Sequence, residues 1–410
     1  MMSRRSVQEE YDEEHIEEAI QMAASEGHFE VVQWFHSHFP AQFTSEVFDG
    51  AVYAGHLDII RFLHNATLAK PTNEGFSNAI IDNHLNVVKL LHEEYGSSLQ
   101  CDSQAAGASL YKMVRYLHIH RQEAFTEDAL DAAAGSGTFD VVRFLHTHRT
   151  EGCTEYALNE AATNGHLDIV RFLHENRSEG CSTDAMDGAA SNGYLSVVKF
   201  LHEHRSEGCT TEAMNSAARE GCFEIVKFLH ENRTEGCTAK AMDGVAAEGH
   251  LNLVQFLHEQ RTEGCTTKAM DRAAANGHLH VVRFLHGHRT EGCTTHAMNK
   301  AILNGQYAVV KFLKENRSEG FDERILHKAD KAYTPDIGRI VKYLALSRPM
   351  DQASRKNRAD AYLFESSEND SEDIIQDGSG DDYDDEDEED GKEDGSDLGD
   401  HNQDEVDEEE

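Results

Sequence analysis

The chain has 410 residues, with 76 acidic against 37 basic side chains, a formal net charge of −39 and eight cysteines. No apolar run reaches the length of a membrane span, and Met1 to Glu14 is polar and then acidic where a secretion signal needs an apolar core, so a cytoplasmic or nuclear protein is expected. Residues 365–410 carry 25 acidic side chains against Lys392 alone, which leaves −15 on the first 364 residues. That balance repels phosphate, so nucleic acid is not an expected partner.

After a polar arm over residues 1–13, a 28-residue unit recurs through residues 14–346. From Cys153 the unit reads C-T-T-x-A-M-D-x-A-A-x-N-G-H-L-x-V-V-x-F-L-H-E-x-R-T-E-G. Cys153, Cys181, Cys209, Cys237, Cys265 and Cys293 keep the spacing, and so do Phe144, Phe172, Phe200, Phe228, Phe256, Phe284 and Phe312. Upstream, Trp34, Phe62, Leu90 and Tyr116 hold the phenylalanine position at steps of 28, 28, 26 and 28, which makes the fourth unit two residues short ahead of its first helix. Tyr343 follows after a step of 31, for about a dozen units, and the last, with Pro335 and Gly338, reads as a degenerate terminal cap. A unit this short cannot bury its apolar face alone, so neighbours must stack into one continuous core. Equivalent cysteines on packed helices then lie roughly 10 Å apart, beyond the roughly 7 Å between α-carbons that a disulfide tolerates. Reduced thiols are expected.

Within the unit from Cys153 to Gly180, Ala157, Leu158, Ala161 and Ala162 form one stripe of a short helix whose small side chains admit a close neighbour. Thr154 or a residue beside it is placed to cap that helix, and Gly165 follows Asn164 where the chain must turn left-handed. Leu167, Val170, Phe172 and Leu173 give a second helix a large apolar face. In the third unit Asn83 replaces the turn glycine, and asparagine is the next best residue for that conformation. The predicted fold is an all-α solenoid of helix-turn-helix units.

The stretch A-A-x-N-G-H-L-x-V-V-x-F-L, present from Ala161 to Leu173 with Ile169 for the first valine and repeated with small changes up to Leu285, resembles the ankyrin repeat, and the likeness runs from about Glu14 to Ala345. The resemblance implies a non-enzymatic scaffold that binds a protein partner. Two departures matter. The family's T-P-L-H opening is here T-x-A-M-D or T-x-A-M-N, so Asp187, Asn215, Asp243, Asp271 and Asn299 stand where the family places histidine. The unit is also about five residues shorter than the family's 33, and the loss falls where ankyrins project a β-hairpin finger. A shortened or absent finger is implied, which moves the expected binding surface to the exposed face of the first helices.

Several columns resemble active-site sets. Histidines recur at 36, 64, 92, 118, 146, 174, 202, 230, 258 and 286. Equivalent rings roughly 10 Å apart cannot share an ion whose ligand nitrogens sit about 2.1 Å away, and pairs such as His146 with His148 point to different helix faces. The column is read as structural, and no metal or cofactor is expected. The turn column, Thr138, His166, Tyr194, Cys222, His250, His278 and Gln306, is too varied for shared chemistry. Arginines at 121, 149, 177, 205, 233, 261, 289 and 317, each with a glutamate two residues on, predict a ladder of ion pairs and hydrogen bonds between neighbouring units. No phosphate loop or nucleophile elbow is present, so no catalytic residue is assigned.

If invariant positions build the solenoid, the changing ones are free to carry specificity. These are Tyr156, Asp184, Glu212, Lys240, Lys268 and His296, with Glu160, Arg272 and Lys300 one turn later on the same exposed face. The face runs from acidic to basic along the array, and the resemblance places it on the concave side. Residues 347–364 read as a cap or linker. Residues 365–410, with D-D-Y-D-D-E-D-E-E-D from Asp381, are too charged to bury a core and are expected to be disordered. Such a tail would compete for the basic end of the face and regulate partner access. A second reading makes the tail itself the binding element of a chaperone or buffer for basic proteins such as histones.

Overall fold

A computed structural model describes residues 13–331 and 334–346. Twenty-four α-helices follow one another from Glu13–Ser25 to Pro335–Leu346, as twelve helix-turn-helix pairs, and the described residues contain no strand. The all-α solenoid expected from the 28-residue period is the fold, and no β-hairpin finger is present among the described residues. The expected arm over residues 1–13 falls outside them except for Glu13, as do the linker over 347–364 and the acidic tail.

The pair Glu155–Thr163 and Leu167–Asn176 shows why the sequence folds this way. Thr154 stands extended, and its hydroxyl accepts from the Tyr156 amide at 3.1 Å, which fixes the helix start. Gly165 adopts φ 79°, and the His166 amide donates back to the Ala161 carbonyl at 2.8 Å, closing the helix end. Asn83 makes the same turn with φ 58°, the one positive φ at a non-glycine position among the described residues.

Ala157, Ala161, Ala162, Ile169, Val170 and Leu173 are all buried, and the equivalent apolar residues of the inner repeats join them in one core. First helices of adjacent repeats pack much more closely than second helices do. The alanine stripe on one side and phenylalanines on the other account for the difference, and a stack tighter along one side curves toward that side.

A polar lock ties each first helix to the next. Asp187 accepts from the Thr210 amide at 2.8 Å and from its hydroxyl at 2.5 Å. Asp243 does the same for Thr266 at 2.7 and 2.6 Å, and Asp271 for Thr294 at 2.8 Å each. Where the column holds asparagine, the amide serves both roles: Asn215 accepts from the Thr238 amide at 2.9 Å and donates to its hydroxyl at 3.1 Å. The position where the ankyrin motif has histidine is thus a carboxylate or carboxamide that also sets the next helix cap.

The short fourth unit loses the first turn of its first helix, which runs only from Ser103 to Ala108 and is capped by Asp102 on the Gln104 amide at 3.0 Å. Gly107 lies directly on the Ala129 carbonyl of the next repeat, an approach that any Cβ would block.

Candidate interaction surface

The six first helices from Glu155–Thr163 to Thr295–Leu303 bury their alanine stripe and spend the aspartate or asparagine column on the inter-repeat lock. What remains is a single stripe facing outward. Tyr156 is 60% exposed. Glu160, Asp184, Glu212, Lys240, Lys268, Arg272, His296 and Lys300 are exposed as well. The structure brings one pair of these into contact: Lys240 Nζ lies 3.6 Å from Glu212 Oε1 of the preceding repeat, at the seam where the face changes sign. Both partners are more than half exposed, so the pair marks the seam without contributing much stability. Small residues in the stripe are covered by the preceding helix, Gly188 by Thr163 and Gly244 by Arg219.

The first repeats lie outside these six helices. There, Tyr53, Ile81 and Leu110 are 58%, 47% and 59% exposed. Tyr53 and Ile81 share the first-helix position of Thr163 and Leu110 the turn position of His166, neither of them a position of the charged stripe.

The histidine column packs between repeats. His146 meets Phe172 of the next repeat edge-on at 5.3 Å, and His202, His230, His258 and His286 repeat the contact with the following phenylalanine. The second histidines add a feature that helix spacing alone hides. His148 stacks on its own Phe144 at 4.4 Å, its Nδ1 donates to the Phe144 carbonyl, and its ring comes within 6.0 Å of His118 in the preceding repeat. His92–His120, His174–His204 and His258–His288 form the same cross-repeat pairs at 5.7 to 5.8 Å. Members of one i, i+2 pair do point apart, but histidines of adjacent repeats meet.

The turn column, too varied for shared chemistry, has a packing role. From His166 onward each side chain lies over the glycine of the preceding turn, as do His56 and His84 upstream, and His56, His84 and His166 donate through Nε2 to Ser25, Tyr53 and Gly135 carbonyls at 3.0, 2.9 and 3.2 Å. Tyr194 and Gln306 fill the same space, so what repeats is volume over a glycine.

The arginine ladder takes a different form from the one predicted. Each Arg–Glu pair closes within its own loop, as between Arg205 and Glu207, while from Arg177 onward the guanidinium rests on the glycine and cysteine of the preceding loop. Arg149 also reaches back to the Gln122 carbonyl at 3.0 Å, and Arg121, almost fully buried, donates to Gly96 and Leu99 carbonyls. Burial alone would raise the Glu235 carboxyl, but the Arg233 hydrogen bond and backbone amides hold it down to about 2. All eight cysteines are free thiols. Burial pushes Cys153 and Cys209 up to about 12, so neither offers a thiolate nucleophile.

Among the described residues no group of three histidine, cysteine or carboxylate side chains converges to hold a metal ion, and no helix is long and apolar enough to cross a membrane. Compared with curated proteins, the chain has no match. The family model for ankyrin repeats (3 copies) matches residues 161–243, and that for ankyrin repeats (many copies) matches 130–174, 237–286 and 270–313. Ankyrin repeats generally mediate protein–protein interaction. With stacked helix pairs throughout and these matches, residues 130–313 are a run of ankyrin repeats.

Proposed function

We propose that the array holds a protein partner on the first-helix stripe from Tyr156 to Lys300, with Glu160, Asp184 and Glu212 meeting basic groups and Lys240, Lys268, Arg272, His296 and Lys300 meeting acidic ones. One observation carries the reading: side chains on this stripe are exposed and differ from repeat to repeat, while the core, locks and loops recur. Exposed side chains that vary along a stripe of a fixed scaffold are what a recognition surface requires. No catalytic role is part of this reading.

The test starts from proteins captured by the array ending at Met350. Partners that depend on the stripe should lose at least about tenfold in affinity with Lys268→Glu, Arg272→Glu and Lys300→Glu combined. Unchanged capture by that triple variant would refute the assignment.

The charge of residues 365–410 supports a regulatory addition: the acidic tail weakens access of acidic partners in a salt-dependent manner. Removal of the tail should raise affinity at low salt and change little at high salt. A protein acting instead as a buffer for basic proteins would lose its partner with the tail.

A further inference from the structure

The first repeats present a surface unlike the charged stripe downstream. Tyr53 and Ile81 occupy the same position at the ends of helices Ser45–Tyr53 and Asn73–Ile81, one repeat apart, and Leu110 follows in the turn of the next repeat. Their exposures, 58%, 47% and 59%, are high for large apolar side chains. Hydrogen bonds fix them as neighbours. The His84 ring donates to the Tyr53 carbonyl at 2.9 Å, Asn83 donates to the Ile81 carbonyl at 3.1 Å, and Asn83 accepts from the Leu110 amide at 2.9 Å.

The position of Leu110 has a local cause. In most repeats the turn side chain lies over the preceding glycine, but here that residue is Asn83, whose side chain takes the Leu110 amide instead. Leu110 is left facing outward. Geometry requires an outward residue there but not an apolar one, and three apolar residues in successive repeats form a row that costs solubility unless it is covered.

Acidic side chains line the same helix faces. Glu46 precedes Tyr53 by seven residues and Glu74 precedes Ile81 by seven, which on a helix is two turns along one face, and both are exposed. Hydrogen bonds from Thr44 and the backbone hold the Glu46 carboxyl below its usual range, so it stays ionised at neutral pH. Asp128 continues the acidic series in the fifth repeat.

We infer that repeats two to four form a second docking surface, upstream of the Tyr156–Lys300 stripe, that takes a basic segment of a partner protein with apolar anchors facing Tyr53, Ile81 and Leu110. Adjacent repeats are spaced by roughly 10 Å, which a polyproline-II segment covers in one turn of three residues, bringing every third side chain back to the same face. The segment therefore carries an apolar residue at every third position and lysine or arginine between them. Aromatic anchors such as Tyr53 are the residue type that most often dominates binding energy.

The test uses the full chain and a synthetic peptide with leucine at every third position, lysine between, and one leucine replaced by photoreactive benzoylphenylalanine. Crosslinks are expected on the helices ending at Tyr53 and Ile81, and Tyr53→Ser/Ile81→Ser should weaken binding by about tenfold while circular dichroism is unchanged. Replacing the peptide's lysines by glutamate, or its leucines by serine, should abolish crosslinking to this surface, whereas Lys268→Glu/Lys300→Glu should leave it intact. No binding, crosslinks confined to residues 365–410, or insensitivity to Tyr53→Ser/Ile81→Ser would each overturn the inference. None of these outcomes bears on the downstream stripe.

Discussion

Asp187 sets two things at once, the contact between repeats and the cap of the following helix, through its bonds to Thr210. Burial raises its carboxyl above the usual range, only partly offset by those bonds, so the ionised form is held at some cost. Asparagine keeps both hydrogen bonds without the charge, and Asn159, Asn215 and Asn299 already stand in the same column. Asp187→Asn is therefore expected to change unfolding free energy in urea by less than about 1 kcal/mol, while Asp187→Ala, which strands the Thr210 amide, should cost about 1–3 kcal/mol. Gly208 is a second such point, with φ 79° and Arg233 packed where a Cβ would stand. Gly208→Ala should cost about 1–3 kcal/mol by the same measurement, since strain and overlap add.

At the scale of the element, the second helices place histidines of adjacent repeats together, and this has a pH consequence. Burial lowers the His92 imidazole below its ordinary value, helped by Arg121 and His120 and opposed by Glu123 and Glu93. Burial likewise lowers His118, with Arg149 and His148 adding and Glu151 opposing. Both Nδ1 atoms are buried without a described acceptor, so a proton added there has nowhere to donate. The unfolded chain then binds protons more readily than the fold as pH falls below about 6.5, and stability present above that value is lost. The loop glutamates, lowered in the fold, add a further loss below about 4.5 as pH falls toward 2. Urea midpoints should therefore decline from pH 7 to pH 5.5 and again below pH 4.5, and a flat profile between 7 and 5.5 would show that the histidine pairs carry no linkage. None of the pairing was readable from the i, i+2 spacing, because His148 finds its partner 30 residues back and not within its own helix.

Over the whole array, the sequence made the unit, its caps and its turn legible because those depend on neighbours a few residues apart: Thr154, Gly165 and the alanine stripe each act locally. The fourth-unit deletion was legible as a gap in the phenylalanine steps. Less legible was whatever crosses from one repeat to the next, such as Arg205 resting on Gly180 or Tyr194 on Gly165, because periodicity gives the spacing of repeats and not which side chain fills the space over a glycine. The acidic-to-basic stripe was readable, and its nine residues are exposed, but the contact between Glu212 and Lys240 needed coordinates. Tyr53, Ile81 and Leu110 were missed because the early repeats depart most from the consensus, so variable and structural positions could not be separated there by comparison alone.

Recognition on one stripe of a rigid stack makes a contrast that a single binding titration can read. A partner captured by the array is titrated against two charge-reversed forms, one with Lys240→Glu, Lys268→Glu and Lys300→Glu on the first helices, the other with Lys199→Glu, Lys227→Glu and Lys311→Glu on the second. The first should lose at least about tenfold in affinity and the second stay within about twofold. Equal losses in both, or a loss only in the second, would contradict the assignment of recognition to the first-helix face.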